Sequence, residues 1–331
     1  MRLLVLGGTV FLSRAVAAAA VARGHDVTCA ARGESGSVPE GARHVVLDRG
    51  APDWSSLDVG GDGEWDSVVD VSRSPVWVAE ALEALGDRIP HWAFVSSISV
   101  YADQSTPGGS QDTLPLLPPI TEDVEQDTPE KYGSSKVGCE QAVQARAREW
   151  LVVRPGLIVG PGDPSGRFSY WVARLAEGGD VLAPESPDRG TQAIDVRDLA
   201  AWIVTGAEKG LTGVYDASGP VMRLGDLVDE VVAAVGGQAK QVWASADFLI
   251  ERDVGYWSGP RSLPLWLPED SRGMTAHDVS AAVAAGLTAR PIGETATDTL
   301  AWLRSTQDPP LTGLSRAEEQ DLLDDWHTIR A

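Results

Sequence analysis

The sequence predicts an α/β fold: a doubly wound parallel sheet with helices on both faces, and a smaller C-terminal lobe. Three observations carry this expectation. Short, near-continuous apolar runs alternate with helical patterns through the first half of the chain, as strands buried on both faces require. A glycine turn, Gly7-Gly8, joins the first apolar run directly to the first helix. Beyond Arg154 the alternation loosens, and one further strand pattern returns at Gly210–Ala217.

Each element has its own signal. Leu3–Leu6 is a short apolar strand, and the Ala-rich run Phe11–Arg23 is a helix ended by Gly24. Asp26–Ala31, His44–Leu47 and Ser67–Val71 read as the second to fourth strands. Pro75–Leu85 is a helix with Ser74 as its cap and proline at its first position. Trp92–Ser96 is the fifth strand, and Asp103–Pro129, rich in Pro, Gly, Ser, Thr and acids, is a long surface loop. A helix capped by Thr128 follows, then a sixth strand at Trp150–Arg154 and a seventh at Gly210–Ala217. The tail, Ser315–Ile329, is a capped acidic amphipathic helix. Residues 1–155 with about 187–217 are expected to form a dinucleotide-binding domain, and 156–186 with 218–331 a substrate-binding lobe.

Composition bounds the function. The 331 residues are 43% hydrophobic and 23% charged, ordinary for a chain that buries a large core. A formal net charge of −21 repels the phosphates of nucleic acid, so no nucleic-acid partner is expected. Cys29 and Cys139 have no paired spacing, which argues against a disulfide framework and a metal site. No apolar run is long enough for a membrane span, and the first residues lack a signal-peptide pattern. A cytoplasmic protein with no membrane partner is the expectation.

Two motifs point to chemistry. In Gly7-Gly8-Thr9-Val10-Phe11-Leu12-Ser13 a glycine turn between strand and helix lets backbone amides approach a pyrophosphate, and the helix N-terminus favours its charge. Ser13 stands where a third glycine is usual, and is small enough to keep helix and strand close. The second strand ends in Arg32 rather than an acid. That residue suits a ribose 2′-phosphate and favours NADP(H) over NAD(H), with no acid expected to oppose it. Asp48 and Arg49 end the third strand and are placed at the adenine; Ser72 ends the fourth, near the ribose or nicotinamide. The second motif is Tyr132-Gly-Ser-Ser-Lys136. Four residues apart on a helix, the tyrosine and lysine share one face, and the cation favours a phenolate able to exchange protons with a carbonyl or alcohol.

With these motifs, Phe94-Val-Ser-Ser-Ile-Ser-Val-Tyr101, Arg154-Pro-Gly-Leu-Ile-Val-Gly-Pro-Gly-Asp163 and Gln192-Ala-Ile-Asp-Val-Arg-Asp198 complete a set in one order. The chain thereby resembles the extended short-chain dehydrogenase/reductases, which include the NAD-dependent epimerase/dehydratase enzymes. The resemblance implies a Rossmann-type fold, and Ser97, Tyr132 and Lys136 as the catalytic residues. Ser97 would hydrogen-bond the carbonyl oxygen, with Ser96 and Ser99 as competitors for that role. Tyr132 would exchange the proton, and Lys136 would tune it and hold the nicotinamide ribose. Pro155 and Gly156 would flank the nicotinamide.

Departures narrow the chemistry. Ile98 and Ser99 follow Ser97 where the sugar dehydratases of similar fold carry two acids, so dehydration lacks its proton-transfer groups. Leu157 replaces the asparagine that helps sugar-nucleotide epimerases hold phosphates. The leading expectation is therefore an NAD(P)-dependent oxidoreductase reducing a ketone or aldehyde of a small or medium metabolite. The alternatives are a sugar or nucleotide-sugar epimerase with tightly bound cofactor, and a non-catalytic dinucleotide-binding protein. Phe168, Tyr170, Trp171 and Arg174, with Trp257 and Arg261, are the expected substrate contacts of the lobe, the aromatics standing equally well as its core. Asp195–Asp198 is expected to tie lobe to sheet, with Asp195 and Arg197 as an ion pair. A homodimer through the Tyr132 helix accords with the resemblance.

Overall fold

The computed structural model describes residues 1–57, 65–123 and 128–330; residues 124–127 of the expected surface loop lie outside that range. Six strands and three helices alternate in the first half: β1 Arg2–Leu6, α1 Phe11–Ala22, β2 Asp26–Ala31, β3 Arg43–Val46, β4 Ser67–Asp70, α2 Pro75–Leu85, β5 His91–Val95, α3 Pro129–Arg146 and β6 Glu149–Pro155. The strand Gly213–Ala217 returns beside β6 and completes a seven-stranded sheet in the order β3-β2-β1-β4-β5-β6-Gly213–Ala217. Every pairing is parallel: Val5 lies opposite Cys29 and Val69, Val69 opposite Ala93, and Phe94 opposite Val152.

Parallel strands need crossovers, and the crossovers bury the sheet on both faces. On one face β-strand residues such as Val5, Val69, Ala93 and Val153 pack on Val16, Ala17 and Ala20 of α1 and on Leu199 and Ile203 of α5, Val196–Lys209. On the other, Leu4, Val68, Trp92 and Phe94 pack on Val78, Ala81 and Leu82 of α2 and on Cys139 and Val143 of α3. Both cysteines are enclosed, and burial pushes the Cys29 thiol up to about 11 and Cys139 to about 12, which makes them inert packing groups.

The expected caps are in place. Ser74 Oγ accepts from Trp77 N at 3.1 Å and Thr128 Oγ1 from Lys131 N at 3.4 Å. At Arg316–Arg330, Ser315 Oγ and the Glu318 carboxylate cap each other's amides.

A third core lies in the C-terminal half. There α4, Arg167–Glu177, and α6, Leu224–Val235, enclose Phe168, Trp171, Leu175, Leu227 and Val231 with the helices Ile292–Ser305 and Arg316–Arg330. A two-stranded parallel sheet pairs Gly179–Pro184 with Ala239–Ala244. Asp195 and Arg197 form the expected ion pair at 2.7 Å, and Arg197 and Asp198 reach Asp298 and Arg290 of the C-terminal half. No helix among the described residues is long and apolar enough to cross a membrane, and no cluster of ligating side chains among them would hold a metal.

Candidate functional site

The order β3-β2-β1-β4-β5 reverses direction of growth at β1, so the carboxyl ends of β1 and β4 diverge and leave a crevice. A cavity of about 510 Å³ opens there. Its wall includes Gly7 and Thr9 after β1, Ala31, Arg32 and Gly33 after β2, Arg49 after β3, and Ser72 and Ser74 after β4.

The turn after β1 suits a phosphate. Gly7 and Gly8 take φ of 134° and 100°, open to glycine alone at little cost. A Cβ on Gly8 would stand 2.4 Å from Cys29 Sγ, so the glycine also lets α1 start against β2. Ser13 keeps that closeness: its hydroxyl folds back to donate to Val10 O at 2.8 Å, leaving room for the Gly7 backbone. Val10, the N-cap of α1, is extended and 42% exposed, and offers no side-chain acceptor to the first-turn amides. The start of α1, around Phe11 and Leu12, therefore keeps its donors for an anion, so the residues present fit a dinucleotide pyrophosphate.

The other expected cofactor residues divide. Ser72 lines the cavity, and its carbonyl accepts from Lys136 Nζ at 2.7 Å. Arg49 lines it as well, but its guanidinium is engaged by the buried Asp70 carboxylate at 2.8 Å and by Trp77 O. Asp48 turns away to accept from Gly50 N at 2.9 Å and is absent from the cavity wall. Arg32 is at the cavity but is opposed, against expectation: Glu34 Oε2 lies 3.6 Å from its Nη1. Two residues beyond the strand end, Glu34 was within reach of a sequence reading that stopped at Arg32.

The three candidate catalytic residues come from two elements that touch. Ser97 caps the short turn Ile98–Val100; its Oγ accepts from Ser99 N at 3.1 Å and donates to Ser99 Oγ at 3.0 Å. Gly133, directly after Tyr132, meets this turn so closely that a Cβ would lie 2.1 Å from Ser99 O. Lys136, 2% exposed, threads between strand ends and donates to Ser72 O and Val95 O at 2.7 Å each. Its ammonium thus joins the ends of β4 and β5 to α3, over the Phe94 ring at 4.8 Å. The competing Ser96 is buried, with its hydroxyl unpaired among the described residues. Pro155 ends β6, and Gly156 stands where a Cβ would meet Ser218 Oγ at 2.9 Å.

Beneath these residues lies a closed buried network that sequence reasoning missed. Arg154 donates to both Glu140 oxygens, at 2.9 and 2.6 Å, and to the Tyr101 hydroxyl at 2.9 Å. Tyr101 donates to Asp216 at 2.6 Å, and the other Asp216 oxygen meets His277 Nδ1 at 3.2 Å. Burial and then the Asp216 charge push the Tyr101 phenol far above its ordinary range, so it stays a donor. The network ties α3, β6 and the segment after Ser97 into one rigid support.

Most of the expected substrate residues of the lobe are elsewhere employed. Phe168, Tyr170 and Trp171 are buried in its core, and Trp171 Nε1 donates to Pro264 O at 2.9 Å. Arg174 is buried against Glu319 at 2.5 Å, with Gly178 O and Asp180 O as further acceptors, so it has no charge to offer a substrate. Arg261 is held by Arg252 O at 2.9 Å and faces Glu318 at 3.6 Å. Of the expected set, Trp257 keeps a half-exposed ring, under the guanidinium of Arg167 at 4.7 Å. Arg167, the first residue of α4, was not singled out from sequence.

Comparison with known proteins places this geometry. The family model for the NAD-dependent epimerase/dehydratase family matches residues 73–216. The chloroplast stem-loop binding protein of 41 kDa b of Arabidopsis thaliana is 26% identical over 253 residues, 71% of this chain; the chain spans 63% of that protein's length. Similar solved structures include the Bordetella bronchiseptica enzyme WbmH in complex with NAD+, at 18% identity and a TM-score of 0.64 over 92% of this chain and 98% of that one. The UDP-glucuronic acid 4-epimerase of Bacillus cereus with NAD is 14% identical, with a TM-score of 0.66 over 93% and 98%. The UDP-glucose 4-epimerase of Thermus thermophilus with NAD is 18% identical, with a TM-score of 0.63 over 93% and 100%. The fold is that of these Rossmann-type proteins, and the stretch that the family model matches, residues 73–216, carries Ser97, Tyr132 and Lys136.

Proposed function

We propose that the protein is an epimerase of the hydride-transfer type, inverting a carbinol carbon of a sugar or sugar-like substrate with a nicotinamide dinucleotide that it retains. The observation that supports this reading is that the turn at Ser97 meets the helix bearing Tyr132 and Lys136, with Lys136 held at the carboxyl ends of β4 and β5 beside the crevice at β1. The bound dinucleotide supplies a reversible hydride acceptor. Tyr132 takes the substrate hydroxyl proton as the carbon gives up its hydride, and returns it when the hydride comes back to the opposite face. Ser97 hydrogen-bonds the same oxygen while it is a carbonyl. Lys136 donates two of its three protons to Ser72 O and Val95 O, which fixes it beneath α3 and leaves the third for a cofactor hydroxyl.

The names of the structural relatives support inversion over the net reduction of a ketone or aldehyde, the reading that sequence put first. Within this proposal residues 1–155 and about 187–217 bind the dinucleotide, and 156–186 with 218–331 receive the substrate. The stem-loop binding in the plant relative's name is not carried over, because a net charge of −21 opposes a phosphate backbone.

The test is a cofactor inventory joined to turnover. Protein purified without added cofactor is expected to release nicotinamide dinucleotide on denaturation. It should isomerise its substrate with no net absorbance change at about 340 nm, since hydride leaves and returns in one cycle. Tyr132→Phe should retain the dinucleotide and lose about 10²- to 10⁴-fold in kcat. Stoichiometric consumption of reduced cofactor would restore the reductase reading, and full activity in Tyr132→Phe would end both.

A further inference from the structure

Among the described residues Arg167 is a guanidinium without a hydrogen-bonded or ion-paired partner. Its Nε is buried with no acceptor, and its guanidinium makes no hydrogen bond or ion pair among the described residues. Asp163 is near enough for its charge to act on Arg167 but is already claimed: Ser165 N and Oγ donate to its two oxygens at 2.8 and 2.9 Å. Other arginines of this region are tied down, Arg174 by Glu319 and Arg189 by Glu185. Leaving a guanidinium half-buried and unpaired is costly, and burial pulls its pKa down. Such a group is retained where a ligand supplies the counter-charge.

Three features aim it. Trp257 holds its ring 4.7 Å from the guanidinium carbon, which fixes the plane of the fork. Trp257 does so from a left-handed backbone, φ 66°, unusual for so bulky a residue and secured by its N–H to Trp266 O at 2.9 Å. Arg167 also opens the 11-residue helix α4, whose N-cap, Gly166, has no side chain; Ser165 Oγ accepts from the Arg167 amide at 3.4 Å, and the helix end adds positive potential at the same place. Finally, Tyr132 is near enough for its charge to act on Arg167.

We infer that Arg167 is a substrate-binding residue that takes an acidic group, carboxylate or phosphate, carried on the same ring or short chain as the reacting hydroxyl. The inference rests on the proposed reaction for the identity of that hydroxyl. It goes beyond it in naming the substrate as an acid at its reactive end. Binding the acid there holds the reacting carbon at Tyr132, and a neutral analogue leaves the buried guanidinium unpaired.

Two matched probe pairs test this by ligand-observed NMR on the cofactor-loaded protein: UDP-glucuronic acid against UDP-glucose for the carboxylate, and glucose 6-phosphate against glucose for the phosphate. Wild type is expected to bind the acid of at least one pair about tenfold or more tighter than its neutral partner, the worth of one charge-assisted hydrogen bond. The pair that shows it identifies the acid. In Arg167→Met the ratio should fall to about one, and Arg167→Lys should keep part of it as a point charge without the fork. Thermal unfolding and retained dinucleotide establish that both variants are folded. A ratio near one for both pairs in wild type, or an undiminished ratio in Arg167→Met, overturns the assignment. Should the ratio behave as expected while no probe is isomerised, the acid site stands and the epimerase reading falls.

Discussion

The two halves of the molecule treat buried charge differently. Under the candidate catalytic residues the buried polar groups are closed upon one another: Glu140 with Arg154, Arg154 with the Tyr101 hydroxyl, that hydroxyl with Asp216, Asp216 with His277. In the C-terminal half, α4 carries two arginines: Arg174 is closed in the same way on Glu319, while Arg167, two turns earlier, is left open. A closed set uses its hydrogen-bonding capacity for shape and holds elements together. An open group on the same helix carries a standing desolvation cost, and it becomes useful when something charged arrives. The difference separates scaffold from site more sharply than residue type does, since both are arginines on one helix.

The largest effect expected from this contrast is on stability. Arg174→Met removes the partner of Glu319, which is 1% exposed and otherwise held by Leu182 N and Arg316, and should cost about 3–5 kcal/mol. Arg167→Met removes a half-buried charge with no hydrogen-bonded or ion-paired partner among the described residues, and should leave stability unchanged or raise it by about 1 kcal/mol. Urea unfolding of the two variants side by side measures both. Equal destabilisation would mean that Arg167 is structural after all.

How far each half could be read from sequence follows from what fixes its residues. In the sheet half the demands are local. Pro75 after Ser74, the glycines after β1 and the four-residue spacing of Tyr132 and Lys136 each answer a backbone or helix requirement, so strand and helix limits were legible to within a residue or two, apart from the seventh strand, which starts at Gly213 and not at Gly210. Phe168, Trp171 and Arg174 carry no such local mark. Whether an aromatic of α4 faces a cleft or a core depends on Leu227 and Val231 of α6 and on Glu319 of the last helix, elements more than 50 residues away. The same holds for the pairing of Gly179–Pro184 with Ala239–Ala244, which no periodicity announces. Arg167 itself had one local signal, a cation placed first in a helix, where a positive charge is disfavoured by the dipole.

The next effect tests the contact that joins the two elements carrying the candidate catalytic residues. Gly133→Ala puts a methyl 2.1 Å from Ser99 O, a backbone atom that cannot rotate aside. Overpacking of this kind costs about 1–3 kcal/mol, and here the strain falls between Tyr132 and Ser97. Activity should therefore drop by more than the loss of stability accounts for, because small displacements at a reacting group slow the chemistry steeply. Activity falling only in step with unfolding would show that the turn at Ser97 and the helix at Tyr132 do not act together.

A smaller effect concerns the tie between the halves. Burial would raise the Asp195 pKa, but the Arg197 side chain and amide, with Thr295, bind the charged form and hold it below the usual carboxylate range. A lowered folded value means that the ionised form is the stabilised one. Its contribution is complete above the unfolded value of about 3.9 and is lost as pH falls through the folded value. Asp195→Asn should remove that share of the acid limb, flattening stability against pH below about 4 by up to one proton's slope. An unchanged acid limb would locate the acid sensitivity elsewhere.

The smallest effect is at the cofactor's outer edge, where both charges face water. Arg32 and Glu34 are 54% and 71% exposed and 3.6 Å apart, so each would act on the ribose of a bound dinucleotide through solvent and salt. Arg32 alone would favour a 2′-phosphate; Glu34 repels the same group and can accept from a 2′-hydroxyl. With the two opposed, wild-type affinities for NADPH and NADH are expected to lie within about tenfold of each other. Glu34→Ala should move the ratio toward NADPH and Arg32→Ala toward NADH, each by about three- to tenfold and less in high salt. The directions matter more than the sizes. If Glu34→Ala leaves the ratio unmoved while Arg32→Ala abolishes NADPH binding, the arginine acts unopposed on a bound 2′-phosphate and the preference for NADP(H) read from the strand end is restored.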